Sequence, residues 1–235
     1  MDKKGTHVGV VISFIMFVMF LLFLYTLLLN PIFNKESKDV ALDNLKTLLI
    51  ENLSDNLTTT SVNIDQNDGN KCISLQNFFT ATGLEDKLNV RNSIDSTQSA
   101  YTQSNNLVID RNTHNDVFFR IYSSKNFNQL TSKSGCKQIN EGQYSIGLLS
   151  TEKLISPSKV KTLVDNYKSN YYGVESNFGI LAGDEFSFTF IYANKTVISP
   201  PERNITTSIY SREIPVRYFD SNANVSFGTL RIKVW

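Results

Sequence analysis

The chain has 235 residues, with 23 Lys plus Arg against 22 Asp plus Glu, a formal net charge of +1, and 41% hydrophobic and 11% aromatic residues. That length builds one ordinary domain with an appendage, and the near-zero charge removes the electrostatic footprint of a nucleic-acid binder. Two His and two Cys exclude most metal sites assembled from those ligands.

Residues 8–29 form a run of 22 without a charge. A helix of that length spans about 33 Å, enough for a hydrocarbon core of about 30 Å. A buried helix of a soluble domain rarely runs so far without a polar face. A cleaved signal peptide has an apolar core of about 7–15 residues and a small-x-small site. This run is longer and leads into Leu28-Leu29-Asn30-Pro31, so a retained anchor is expected. Lys3 and Lys4 precede the span and Lys35 and Lys38 follow it, a near tie under the positive-inside rule. The long polar remainder decides the expected orientation: a single pass through the cell membrane, N-terminus cytoplasmic, bulk extracytoplasmic.

Asn30-Pro31 punctuates this helix, because Pro cannot extend the ladder cleanly. After a short polar segment, residues 39–53 read as an amphipathic helix. Ala41, Leu42, Leu45, Leu48, Leu49 and Leu53 fall at three- and four-residue steps. The pattern suits a stalk helix and equally the first core helix of an anchored domain. From residue 57 the period changes. Residues 58–64 are β-prone, 67–70 signal a turn, and 72–79, 116–123 and 143–149 read as strands. Residues 92–106, rich in Ser, Asn, Gln and Thr, read as an exposed loop.

One helix interrupts the β pattern. Ser156 caps it, Pro157 suits its first position, and Val160, Leu163, Val164 and Tyr167 make its stripe, with an end near Tyr171-Tyr172-Gly173. Phe186, Phe188, Phe190 and Tyr192 alternate on one strand face. Residues 208–219 and 224–235 flank Asp220-Ser221-Asn222-Ala223 as a hairpin, with Leu230, Ile232 and Val234 inward. The expected fold is α+β. A transmembrane segment (1–30) leads through a polar break and amphipathic helix (31–56) to a mainly antiparallel β head (57–235) with one inserted helix.

Few residues offer chemistry. Cys72 and Cys136 form a disulfide if the head is exported and remain two thiols if it is not. Such a bridge is worth up to about 4 kcal/mol in the chain-entropy account. His114, in Asp110-Arg111-Asn112-Thr113-His114-Asn115-Asp116, is the one histidine of the head; no Gly-x-Ser-x-Gly elbow accompanies it, and a surface-loop histidine is the expectation. His7 sits at the membrane edge. No phosphate loop or Asp-x-Asp-x-Asp calcium spacing occurs, so no cofactor, metal, small-molecule substrate or catalytic residue is expected. Five Asn-x-Ser/Thr sequons lie at Asn52, Asn56, Asn194, Asn204 and Asn224. With 25 Asn and 44 Ser plus Thr, random order alone gives about five. Tyr167, Tyr171, Tyr172 and Phe178 are either core or an interaction surface.

Lys3-Lys4-Gly5-Thr6 directly before the apolar run resembles the class III signal sequence of type IV prepilins, in particular archaeal pilin-like proteins. The resemblance implies cleavage at Gly5–Thr6 by a membrane peptidase, and a helix that serves as both anchor and assembly stalk. The family's usual Glu at the fifth mature position is Val10 here. That residue is thought to pair with a neighbour's N-terminal amine, so its absence implies a minor subunit that caps or primes a filament. The expected partners are membrane lipid and other pilin-like subunits. The alternative expectation is a non-polymerising anchored binding or adhesion protein of the cell surface. A third, an anchored hydrolase, needs His114 or a carboxylate pair in a cleft.

Overall fold

The computed structural model describes residues 5–65, 69–111, 115–180, 183–205 and 207–235; of residues 5–7 and 27–37 it describes the backbone alone. The chain opens with α1 (Gly5–Leu53), a helix of 49 residues, about 73 Å long. The expected break at Asn30-Pro31 is therefore corrected: anchor and stalk are one rod. A proline removes a single N–H from the ladder, and the helix-forming residues on either side carry the backbone across. The carbonyl of Leu53, at the helix end, accepts the Ser156 N–H at 2.9 Å.

The chain continues through β1 (Ser54–Ile64), β2 (Cys72–Leu75), α2 (Phe78–Thr82), β3 (Leu88–Asn92), β4 (Thr97–Gln103), β5 (Asn106–Asp110), β6 (Phe118–Ser123), β7 (Lys137–Ile139), β8 (Tyr144–Ile146) and β9 (Ser150–Ile155). Then come α3 (Pro157–Ser169), α4 (Tyr171–Asn177), β10 (Phe186–Ile191), β11 (Val197–Ile198), β12 (Tyr210–Phe219) and β13 (Val225–Val234). The fold is α+β with a mixed, mainly antiparallel sheet. Strand pairs β2–β7 and β9–β12 are parallel. The head carries α2, α3 and α4 where one helix was expected.

The sheet runs β11-β10-β13-β12-β9-β1-β6-β3-β4-β5-β2-β7, with β8 on the free part of β1. Two cores lie along it. The first packs Leu42, Leu45, Leu49 and Leu53 of α1, the α3 stripe, and Phe186, Phe188, Phe190, Leu230, Ile232 and Val234 of the C-terminal strands. The second is the inside of the lobe from β1 to β8, with Val62, Ile73, Leu75, Phe78, Val90, Ile109, Phe119 and Ile121. The two halves of the sheet meet through one parallel pairing, Tyr218 with Ile155. A small third core of Leu57, Phe127, Leu154, Phe219 and Ala223 fills the corner.

Residues 92–106 are not a loop. Thr97–Gln103 forms β4, between β3 and β5. Partners on both sides take its backbone groups, so the strand needs little apolar content, and only Gln98 on it is fully buried. Its hairpin turns through Ser104, at φ 55°. Other boundaries move too. The strand expected over 72–79 ends at Leu75, and Phe78 and Phe79 belong to α2. The strand expected over 143–149 keeps only Tyr144–Ile146.

Candidate functional site

The feature that stands outside both cores is the first half of α1. Val8–Thr26 has a mean hydropathy of 2.8, and none of it is buried. Every side chain in that stretch is exposed. By length and composition it is the one candidate membrane span among the described residues. Its polar groups are few, and the Thr26 hydroxyl donates to the Phe23 carbonyl at 2.9 Å, which satisfies it within the helix.

The second half of α1 fixes this rod to the head. Leu45, Leu49 and Leu53 are wholly buried against β12, β13 and α3. Lys38 pairs with Asp184 at 2.6 Å, and Arg212 of β12 reaches Asp43 and, at 3.9 Å, Asp39. The opposite face is mixed: Val40 and Leu48 are exposed beside Asn44, Thr47 and Glu51. Ala41 and Leu48 of the expected stripe lie at its margin.

The head is locked where its halves join. Arg91 of β3 is 5% exposed. It donates to Asp95 at 3.0 Å, to the Asn224 side-chain oxygen at 2.5 Å and to the Asn222 carbonyl. Its guanidinium lies 5.6 Å from the Tyr122 ring centre. Asn89 adds a hydrogen bond to the Ser221 carbonyl at 3.1 Å. So the turn of the β12–β13 hairpin is clasped by the other lobe. Nothing in the local sequence around Arg91 signals this, because its partners in that turn lie about 130 residues away.

At the other end, the Tyr167 hydroxyl donates to the Phe186 carbonyl at 2.6 Å, and the Phe186 N–H donates to the Tyr171 hydroxyl at 3.2 Å. Burial raises both phenols, Tyr171 to about 12. Arg203 lies over the Tyr171 ring at 3.8 Å and forks onto Glu185 at 2.9 and 3.2 Å, and that hydrogen-bonded carboxylate raises the Arg203 guanidinium. Of the aromatic quartet, Tyr167, Tyr171 and Phe178 are core, while Tyr172 is 75% exposed.

Cys72 and Cys136 are joined as a disulfide, beside the parallel pair β2–β7. Asp110 lies near both sulfurs, but two sulfurs bonded to each other offer no thiolate to a metal, and Asp110 is paired with Lys133. His114 lies outside the described residues. Its charged neighbours have structural roles: Asp116 accepts from Asn92 at 3.0 Å, and Arg111 donates to the Asp116 carbonyl at 3.1 Å and to the Asn70 carbonyl. The Gly5–Thr6 bond falls at the start of α1; the side chains of Gly5, Thr6 and His7 lie outside the described residues.

A cleft of about 280 Å³ at the lobe junction is lined by Phe127, Ser158, Lys161, Tyr192, Phe219 and Asp220. Both Asp220 oxygens turn into their own hairpin, accepting from Asn222 and Asn224 at 2.7–2.9 Å. The five sequon asparagines are all exposed. They differ in setting: Asn52 is in the last turn of α1, Asn56 is within β1, Asn194 is in the β10–β11 turn, Asn204 is in the loop before β12, and Asn224 directly precedes β13. No family model, curated protein or solved structure matches this chain.

Proposed function

We propose that this protein is a membrane-anchored extracytoplasmic assembly subunit, similar to a minor type IV pilin. Its apolar half-helix holds it in the bilayer and then packs against neighbouring stalks. The observation that carries this reading is the continuity of α1. One rod is exposed and apolar from Val8 to Tyr25, and its far end is fixed to the head by four buried leucines. A flexible tether would anchor the head without transmitting its position. A continuous helix sets head and anchor in one frame, which is what packing of stalks needs. Moving such a helix from lipid to a bundle exchanges one apolar contact for another. The gain then comes from van der Waals fit and not from water release.

The edges of the head support assembly through the stalk. Odd-numbered residues of β12 turn their backbone groups away from β13, as the Glu185–Trp235 bonds and the registers β10–β13 and β12–β13 require. Pro215 occupies one of those positions, flanked by the exposed Glu213 and Arg217. Proline and charge on an open edge discourage strand addition. At the opposite side, the Tyr167 and Tyr171 hydroxyls cover the Phe186 backbone.

Val10, where type IV pilin stalks usually carry a carboxylate, fits a capping or priming subunit and equally a second reading: an anchored adhesion or binding protein whose helix stays in lipid. Cross-linking separates the two. Val18→Cys places a single free thiol in the span, since the native cysteines are bonded to each other. In native membranes, a photoactivatable maleimide attached to this thiol cross-links on illumination to the membrane helix of a neighbouring subunit, of this chain or another, if stalks pack. Cross-links to lipid alone, at native expression, overturn assembly and leave the second reading.

A further inference from the structure

The five sequons look equivalent in the sequence and are not equivalent in the fold. N-glycosylation needs the Asn side-chain nitrogen free, the acceptor backbone accessible, and the hydroxyl two residues on within reach of the transferase. Asn52 lies in the last turn of α1, and the hydroxyl residue of its sequon, Ser54, is only 4% exposed. Asn56 is inside β1, paired with Lys153 of β9, and its sequon partner Thr58 bonds the Thr151 hydroxyl at 2.9 Å. Asn224 is tied on both sides: its nitrogen donates to Asp220 at 2.7 Å, and its oxygen accepts from the buried Arg91 at 2.5 Å. The third position of the Asn204 sequon, Thr206, lies outside the described residues.

Asn194-Lys195-Thr196 is different. It forms the tip between β10 and β11, and all three residues are exposed. Lys195 sits at φ 68°, and the Tyr192 N–H donates to the Thr196 carbonyl at 2.9 Å. Within this turn the Asn194 side-chain oxygen accepts the Thr196 N–H at 3.0 Å. That Asx arrangement folds the asparagine back towards its own threonine. It engages the amide oxygen and leaves Nδ2 without a hydrogen bond among the described residues. The asparagine side chain is thus held against the backbone of its own sequon threonine on an open turn, with its nitrogen unengaged.

From this geometry we infer that Asn194 is a glycan acceptor of the folded head, while Asn52, Asn56 and Asn224 stay bare. The donor is a lipid-linked oligosaccharide. Asn194 Nδ2 attacks the anomeric carbon, an N-glycosidic bond forms, the bond to the lipid phosphate breaks, and the amide loses one proton as the phosphate leaves with the bonding pair. The inference rests on the extracytoplasmic placement of the head. A glycan there stands beside β11, the short edge strand whose Val197 is 53% exposed.

The test is glycopeptide mapping of the full-length protein extracted from native membranes, together with protease shaving of whole cells. A glycan on Asn194, bare Asn52, Asn56 and Asn224, and its complete loss in Asn194→Gln and in Thr196→Ala are expected; Thr196→Ser retains it. A head that is shaved from outside yet has an unmodified Asn194 overturns the inference and leaves the topology standing. So does a glycan on Asn204 or Asn224 in place of Asn194. A head protected from external protease in intact cells and degraded after lysis overturns the topology, and the inference with it.

Discussion

At the scale of single residues, two glycines show how closely the head is packed. A Cβ on Gly228 of β13 would lie 2.8 Å from the Ile191 carbonyl and 3.2 Å from the rings of Phe190 and Tyr218. Backbone and buried rings cannot withdraw, so Gly228→Ala is expected to cost about 1–3 kcal/mol. A Cβ on Gly147 would lie 2.3 Å from the Ser61 hydroxyl, the end of a side chain that can rotate away. Chemical denaturation of both variants checks the order: Gly228→Ala loses clearly more than Gly147→Ala. Equal losses would mean that the β10–β13–β12 layer yields to a methyl group as readily as the Ser61 side chain does.

The buried phenols supply a pH signature at the same scale. Tyr171 is raised from 10.0 to about 12, and Tyr167 is raised as well, both chiefly by burial. Above pH 10 the unfolded chain ionises these groups while the folded one keeps their protons. The unfolded state therefore binds fewer protons, and stability falls as pH rises. The contribution is whole below pH 10 and is lost between pH 10 and about 12. Melting temperature followed across that window should drop, and phenolate absorbance should show a late-titrating fraction that appears only with unfolding. Ionisation of Tyr167 and Tyr171 near pH 10, without loss of structure, would contradict the burial.

Among the elements, the docking of α1 decides how the rod is held. Leu45 is wholly buried, so Leu45→Ala is expected to cost about 2–5 kcal/mol. Lys38–Asp184 is partly exposed and short, and a pair of that kind is worth less than about 1 kcal/mol. Denaturation of full-length Leu45→Ala and Asp184→Ala in detergent should separate them widely; comparable losses would mean that charge and not packing fixes the stalk. The elements legible in the sequence were those with dense local signals. Pro157 at the first position and the stripe Val160, Leu163, Val164 and Tyr167 define α3, and all four stripe residues are buried; Ser156 occupies the N-cap position, but its side chain makes no capping bond and its hydroxyl meets Asn126 and Ser158 instead. Phe186, Phe188 and Phe190 define the inner face of β10. The last hairpin was legible too, with Leu230, Ile232 and Val234 wholly buried. The polar strand β4 was not, because its neighbours on both sides satisfy its backbone and its own side chains bury little. The passage of α1 through Pro31 runs against local propensity, because proline signals a break while removing only one N–H from the ladder.

Over the whole molecule, what the sequence concealed is what long-range contact creates. Arg91 and the hairpin turn it clasps are about 130 residues apart, and no local pattern announces either. The same contact singles out Asn224 from its sibling sequons. The apolar run of the anchor, by contrast, is a property of composition alone, and it was legible from the first thirty residues. The central claim joins that anchor to assembly, and it makes a statement about the N-terminus. Intact mass of the protein extracted from native membranes reads it directly. A chain that begins at Thr6 is predicted, with the segment through Gly5 removed by a prepilin-type peptidase. A chain that still carries residues 1–5 would contradict processing and assembly together, and would leave an ordinary signal anchor bearing a disulfide-bonded head.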